Sequence, residues 1–193
     1  AFATTAGTVV LGFVVAALIH PLRHGHTFFR VVYYLPAMSH VVANATMWQW
    51  LLQPRFGLLN AALRAVGLPG QRWLGDIPLA MISLIVMSWW GGLGGLMVIF
   101  YAGLKNIPDA LYEAAAIDGA SALRKVWYIT IPLMVPVFAF TTVTGLMGGF
   151  AAFQSVYLVT GGGPLDSTRV LGLEIYNLAF NRLWMGQATA LAF

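Results

Sequence analysis

The chain has 193 residues, 60% of them hydrophobic and 8% charged, with a formal charge of +4. A soluble domain carries about a quarter charged residues, so this composition cannot cover a water-facing surface and describes a protein that crosses a membrane several times. The basic balance does not point to nucleic acid, because the arginines are scattered singly with no basic run, and without cysteine there is neither a disulfide framework nor a thiolate metal site.

In chain order, the apolar run over 1–20 predicts a first span that stops at His20-Pro21, where proline removes a helical hydrogen bond. A short basic loop follows, from Leu22 through Arg23, His24, Gly25 and His26 to Arg30. A second span is expected over 33–53, with Tyr33, Tyr34, Trp48 and Trp50 as interfacial anchors and Pro36 in its first turn. Residues 54–77 are rich in turn signals (Pro54, Gly57, Gly67, Pro69-Gly70), with a short surface helix over 58–63. The third span, 78–104, holds Trp89-Trp90-Gly91-Gly92. A polar, helix-prone insert occupies 105–131, and a fourth span is expected over 132–158, with Pro136 in its first turns. After the turn Thr160-Gly161-Gly162-Gly163-Pro164 comes an amphipathic stretch ending near Trp184, and a fifth span starts near Gly186.

The expected fold is therefore all-α, a polytopic transmembrane helical bundle, because a helix satisfies its own backbone in lipid. Both ends fall inside apolar runs, so the chain reads as one transmembrane domain over 1–193 truncated at both ends, with about four complete spans and one truncated. The excess of Lys and Arg in cytoplasmic loops gives no orientation. One set of loops holds Arg23, Arg30, Lys105, Arg124 and Lys125, and the opposite set holds Arg55, Arg64, Arg72, Arg169 and Arg182.

The insert has structure of its own. Pro108 and Asp109 favour a helix start, Ala110 to Ile117 propagate it, and Gly119 can take the left-handed conformation that ends it. Ser121 can cap a second helix over 122–129, and Pro132 marks the start of the next span. A helix–turn–helix projecting from the membrane results.

Glu113-Ala114-Ala115, Gly119 and, after a gap, Ile129-Thr130-Ile131-Pro132 resemble the EAA loop of ABC importer permeases, with Ile131 where leucine is usual. The resemblance implies that 105–131 is a cytoplasmic coupling loop gripped by an ATPase. Its contact residues would be Glu113, Ala114, Ala115, Asp118, Gly119, Ile129 and Pro132. Arg30 to Ala37, Gly57 to Asn60, Phe153 to Tyr157, Thr160 to Pro164, Glu174 to Phe180 and Met185-Gly186 resemble the carbohydrate-uptake permeases, relatives of the maltose and glycerol-3-phosphate permeases. Gln154 departs from the aspartate many of them carry after the phenylalanine.

That branch implies a multi-pass permease subunit in the bacterial cytoplasmic membrane, serving an ATP-driven, binding-protein-dependent importer of a sugar or oligosaccharide. Alternating access would be coupled through the EAA loop. The implied partners are a second permease subunit in a heterodimer, an ABC ATPase dimer, an extracytoplasmic sugar-binding protein and the lipid bilayer. The chain would hold no cofactor and be no enzyme, ATP and magnesium being bound by the ATPase. Glycerol-phosphate or another small polar solute is the alternative cargo, and no Arg or Lys within a span favours a neutral one. An ion-coupled secondary transporter would need carboxylates at mid-membrane. Asp76, Asp109, Glu113, Asp118, Asp166 and Glu174 all read as loop residues. There is no His-Glu-x-x-His, no Ser/His/Asp constellation and no Walker sequence.

For the substrate path, Gly145, Gly149 and Ala152 follow helical spacing along the fourth span. Ser88, Gly91 and Gly92 do the same beside Trp89 on the third, and Asn44, Ser88 and Gln154 could serve sugar hydroxyls. The competing reading is close helix packing, which small residues also allow. His40 would be a buried ionisable group within the second span.

Overall fold

A computed structural model describes residues 1–21, 26–150 and 152–193; the basic loop over 22–25 and Ala151 lie outside the described residues. The described residues form helices and turns, with no β-strand among them. In order these are α1 (Phe2–Ile19), α2 (His26–Met38), α3 (Val41–Leu51), α4 (Leu58–Ala65), α5 (Ile77–Lys105), α6 (Asp109–Ile117), α7 (Ala122–Lys125) and α8 (Ile131–Phe150). The short helices α9 (Gln154–Val159), α10 (Leu171–Tyr176) and α11 (Met185–Ala192) follow. A π-helical turn over Val126–Thr130 joins α7 to α8, and another over Asn177–Asn181 extends α10.

Three of the described helices are long and apolar enough to cross a membrane: Phe2–Ile19, Ile77–Lys105 and Ala122–Phe150. The membrane-helical architecture read from composition is borne out, but two expected spans are redrawn. The second, 33–53, is two helices of 13 and 11 residues, each shorter than the roughly 20 residues a bilayer needs. Pro36 lies in the last turn of α2, not the first turn of a span, and without its N–H the helix stops two residues later. His40 then restarts the chain in extended conformation and its Nδ1 accepts from the Val42 N–H at 3.4 Å. His40 is an exposed cap, not a buried ionisable group.

The fourth span begins ten residues before its expected start and ends at Phe150, not 158. Pro132 is no boundary. Its missing donor is absorbed by the π turn just before it, where the Ile131 N–H reaches back five residues to the Val126 carbonyl. The surface helix expected over 58–63 is present as α4.

The helices fall into two units. Residues 39–88 and 147–193, with Ala1, form one; 2–38 and 89–146 form the other. In the first, α3, the start of α5, α9 and α10 bury Ala45, Trp48, Leu52, Leu84, Met87, Val156, Val159 and Leu173. Gln49 Nε2 donates to the Leu158 carbonyl at 2.8 Å, tying α3 to α9. The loop between α3 and α5 hangs on Asn60, which is fully buried. Its Nδ2 donates to the carbonyls of Pro54 (3.1 Å) and Gln71 (2.8 Å), while its Oδ1 accepts from Gln71 N–H and Trp73 Nε1, both at 2.9 Å. Buried amides need such partners, and here one side chain ties Pro54, Gln71 and Trp73 of an otherwise irregular connection together.

In the second unit, α1, the later part of α5 and the early part of α8 bury Val9, Ala16, Ile19, Met97, Phe100, Tyr101, Leu104, Ile107 and Met134. Phe13, Phe100 and Phe138 meet at centroid distances of 4.9 to 5.7 Å.

Candidate functional site

The insert folds as a helical hairpin. Pro108, with extended backbone, precedes α6, and Asp109 sits in the first turn where the helix dipole favours negative charge. The turn is a full Schellman motif: Ala120 N–H donates to Ala115 C=O at 2.9 Å and Gly119 N–H to Ala116 C=O at 3.1 Å. Gly119 is left-handed, with φ +73°. Ser121 Oγ then accepts from Arg124 N–H at 3.4 Å and opens α7.

Two ties hold the hairpin to the helices behind it. Tyr112 Oη and Thr130 Oγ, 2.9 Å apart, link α6 to the π turn, and Tyr112 and Ile129 pack on the core beside Met134 and Leu104. The outer side is open. Glu113, Ala114, Asp118 and Gly119 are exposed, and Ala115 is half-buried. Around them Ile117 (87% exposed), Leu123 (69%), Trp127 (61%) and Tyr128 (77%) present apolar surface that no described residue covers. Two shallow depressions flank the turn. One, of about 360 Å³, lies between Ala115, Ala120, Arg124 and Tyr128; the other, of about 630 Å³, lies between Ser121, Leu123, Trp127 and Tyr128.

The hairpin thus gathers Glu113, Ala114, Ala115, Asp118, Gly119 and Ile129 in one structure, with Pro132 three residues further along the same continuous helix as Ile129. Sequence reasoning passed over Ile117, Leu123, Trp127 and Tyr128. The available signal was large apolar residues at exposed positions of an otherwise polar insert.

The expected substrate-path residues divide between the two units. In the unit of 39–88 and 147–193, Ser88 Oγ is spent on the Leu84 carbonyl at 2.8 Å, and Asn44 Nδ2 reaches Ser39 C=O at 3.4 Å. A Cβ on Gly149 would stand 3.0 Å from Ala1 Cα. Ala152 lies past the end of α8, so the expected stripe of Gly145, Gly149 and Ala152 does not run along one helix. Ala152 and Gln154 instead line a depression of about 340 Å³ with Val41, Phe153 and Ser155. Beside it, Phe153, Tyr157, Tyr176 and Phe180 form a run of rings 4.8 to 5.2 Å apart. The neighbouring Tyr157 hydroxyl holds Tyr176 above the usual tyrosine pKa.

In the other unit, a Cβ on Gly92 would stand 2.8 Å from Thr8 Cγ2, and one on Gly145 2.8 Å from Thr5 Cγ2. Both glycines pack against α1. Trp89 Nε1 donates to Ala3 C=O at 3.1 Å, and a Cβ on Gly91 would meet no described residue within 4 Å. Close packing accounts for Gly92 and Gly145.

One charge reading changes. As expected, no carboxylate falls in the three bilayer-length helices; Asp109 and Glu113 lie in the short helix α6 and Glu174 in α10. Lys105 ends α5, and Arg124 and Lys125 lie in the first turn of the helix over 122–150, so basic residues do occupy ends of these helices. Arg169 donates from Nε to Glu174 at 2.6 Å and pairs with Asp166 at 3.4 Å, and the Glu174 hydrogen bond raises its pKa above the ordinary arginine value.

A family model described as binding-protein-dependent transport system inner membrane component matches residues 8–193. The chain is 36% identical over 185 residues to the probable ABC transporter permease protein YurN of Bacillus subtilis, covering 94% of this chain and 63% of YurN. It is 32% identical over 186 residues to the multiple sugar-binding transport system permease protein MsmF of Streptococcus mutans, covering 96% and 64%. It is 34% identical over 177 residues to the lactose transport system permease protein LacF of Rhizobium radiobacter, covering 89% and 59%. The chain therefore spans less than two thirds of the length of these relatives. Its fold is that of a chain in the crystal structure of a bacterial alginate ABC transporter in complex with alginate pentasaccharide-bound periplasmic protein. The TM-score is 0.87 at 23% identity, over 98% of this chain and 69% of that one.

Proposed function

The chain belongs to the family of binding-protein-dependent transport system inner membrane components, and from that membership we propose that it is the permease subunit of an ATP-driven importer of a sugar or oligosaccharide. The observation that carries the reading is the hairpin over 105–131, an ordered rod with a left-handed glycine at its tip and an uncovered apolar flank. Such a rod fits a groove on a soluble ATPase. Glu113, Asp118 and the backbone at Gly119 would make the polar contacts, with Ile117, Leu123, Trp127 and Tyr128 burying apolar area around them.

The hairpin would face the cytoplasm of a bacterium, where the ATPase dimer binds ATP and magnesium. Closure of that dimer would move the hairpin, and with it the helix over 122–150, between inward-open and outward-open arrangements. A second permease subunit would complete the pathway, and an extracytoplasmic binding protein would deliver the cargo. The sugar and lactose transport systems to which MsmF and LacF belong support a saccharide cargo. On this chain the depression at Ala152 and Gln154, with Tyr157 and Phe180 exposed beside it, offers an amide and aromatic faces of the kind sugars use.

The test is uptake by the assembled transporter in proteoliposomes loaded with ATP. Saccharide accumulation that needs ATP and the binding protein, and falls at least tenfold in Glu113→Ala with the complex intact, is the expected result. Uptake of glycerol phosphate alone would select the alternative cargo, and uptake driven by an ion gradient without ATP would refute the reading.

A further inference from the structure

Three basic side chains from three parts of the chain converge on one tyrosine. Tyr101 lies one turn before the end of α5 and is 6% exposed. The Arg30 guanidinium of α2 is centred 4.8 Å from the middle of its ring, and Lys105 Nζ is 5.6 Å from the same point. His20, just past α1, sets its ring edge-on at 6.0 Å. A tyrosine face attracts one cation modestly, but two cations drawn to one ring repel each other. No carboxylate offsets them: among the described residues, ion pairs are found only at Arg169, with Asp166 and Glu174. A site this positive lacks its anion.

The position says which anion. Ile19 ends one bilayer-length helix and Lys105 ends another, so the cluster sits at the depth of lipid headgroups. Immediately before Arg30 on α2, Phe28 and Phe29 are 66% and 42% exposed, and most of the helix that follows is exposed and apolar through Leu35. Apolar surface beside an unpaired basic cluster suits an amphiphile better than a soluble anion. Guanidinium and ammonium groups are also the usual partners of phosphate oxygens. We propose that Arg30 and Lys105, gathered about Tyr101, bind the phosphate of an anionic phospholipid of the phosphatidylglycerol class, its acyl chains lying along Phe28 and Phe29. The lipid would sit at the root of the hairpin, since residues 105–131 begin at Lys105 itself.

The experiment is native mass spectrometry of the intact transporter released from nanodiscs of equal phosphatidylglycerol and phosphatidylcholine. Wild type should retain phosphatidylglycerol preferentially. Arg30→Gln with Lys105→Gln should cut that preference about tenfold or more. Arg55→Gln with Arg72→Gln, which removes equal charge from exposed loop positions, should leave it unchanged. An unchanged preference in the first pair, or an equal loss in the second, overturns the proposal, as does displacement of the lipid by millimolar inorganic phosphate. Should the first pair fail to assemble, wild type alone decides: equal retention of the two lipids overturns the site, and preferential retention that survives inorganic phosphate supports it.

Discussion

Replacing Gly119 separates backbone geometry from side-chain contact at the tip of the hairpin. Its φ of +73° closes the Schellman turn, yet a Cβ built there meets nothing within 4 Å. The cost of a side chain at this position is therefore conformational and not steric. For an L-residue the left-handed region costs about 1–2 kcal/mol, more for a β-branched residue and less for asparagine. Gly119→Ala should weaken the turn by about 1–2 kcal/mol, so the amides of Gly119 and Ala120, which close it, should exchange roughly 5- to 30-fold faster. Gly119→Val should be worse and Gly119→Asn close to wild type.

The assay pairs hydrogen exchange on the assembled complex with ATP hydrolysis and uptake in proteoliposomes. If the hairpin transmits ATPase motion, uptake per ATP should fall in the order Asn, Ala, Val as exchange rises. The membrane assembly should stay intact, because Gly119 is exposed and a Cβ there would meet no described residue within 4 Å. Wild-type exchange in Gly119→Ala would refute the backbone argument. Normal exchange with lost uptake in Gly119→Asn would show that the partner approaches the bare backbone too closely for any side chain. Wild-type uptake in Gly119→Val would sink the coupling role.

Three further outcomes are expected. Asn60→Ala removes a buried donor and acceptor from Pro54, Gln71 and Trp73, so it should destabilise the protein by about 2–4 kcal/mol in a detergent melt, and Asn60→Asp, which turns a carboxylate toward carbonyls, should do no better. In intact cells an impermeant thiol reagent should label Leu171→Cys and not Ala122→Cys, because 105–131 faces inward on the proposed topology; labelling of Ala122→Cys overturns it. Gly145→Leu should disrupt assembly, since its Cβ would stand 2.8 Å from Thr5, at about 1–3 kcal/mol of overpacking; an assembled complex that hydrolyses ATP yet fails to transport would instead restore Gly145 to the sugar path.

The hairpin was readable because its determinants are local. Proline, aspartate, a run of helix formers, a glycine and a serine cap follow one another within 14 residues, and each acts on backbone within one turn. The break between α2 and α3 was not readable from hydropathy, which averages Ser39 and His40 into an apolar stretch and is blind to a cap that accepts one hydrogen bond. Pro132 misled in the opposite sense. A proline usually ends a helix, but five residues of π turn let this one continue, and continuation keeps backbone groups satisfied where no water could. Asn60 could be seen only as part of a motif. Its meaning lies in partners up to 13 residues away, which only the folded loop brings to it. The run of rings from Phe153 to Phe180 has the same cause: two i, i+4 pairs on separate helices became one feature through packing.

The redrawn helix alters how the proposed coupling would work. On the sequence reading, a short helix in the loop met a span at Pro132, and that junction could have served as a hinge. In the structure the chain from Ala122 to Phe150 is one helix, so displacement at the hairpin tip reaches the apolar segment without crossing a loop. The Tyr112–Thr130 hydrogen bond makes a second tie, joining the α6 arm to that helix close to where it turns apolar. Tyr112 and Ile129 pack on the same core as Met134, so tilting the hairpin against the helix would cost both a part-buried hydrogen bond and apolar contact. The irregular stretch in this path is the π turn, where the Ile131 N–H reaches five residues back to the Val126 carbonyl. A lever of this kind moves as a unit or shifts by one turn at that site. Its stiffness comes from the residues behind the hairpin, not from the motif by which the hairpin is recognised.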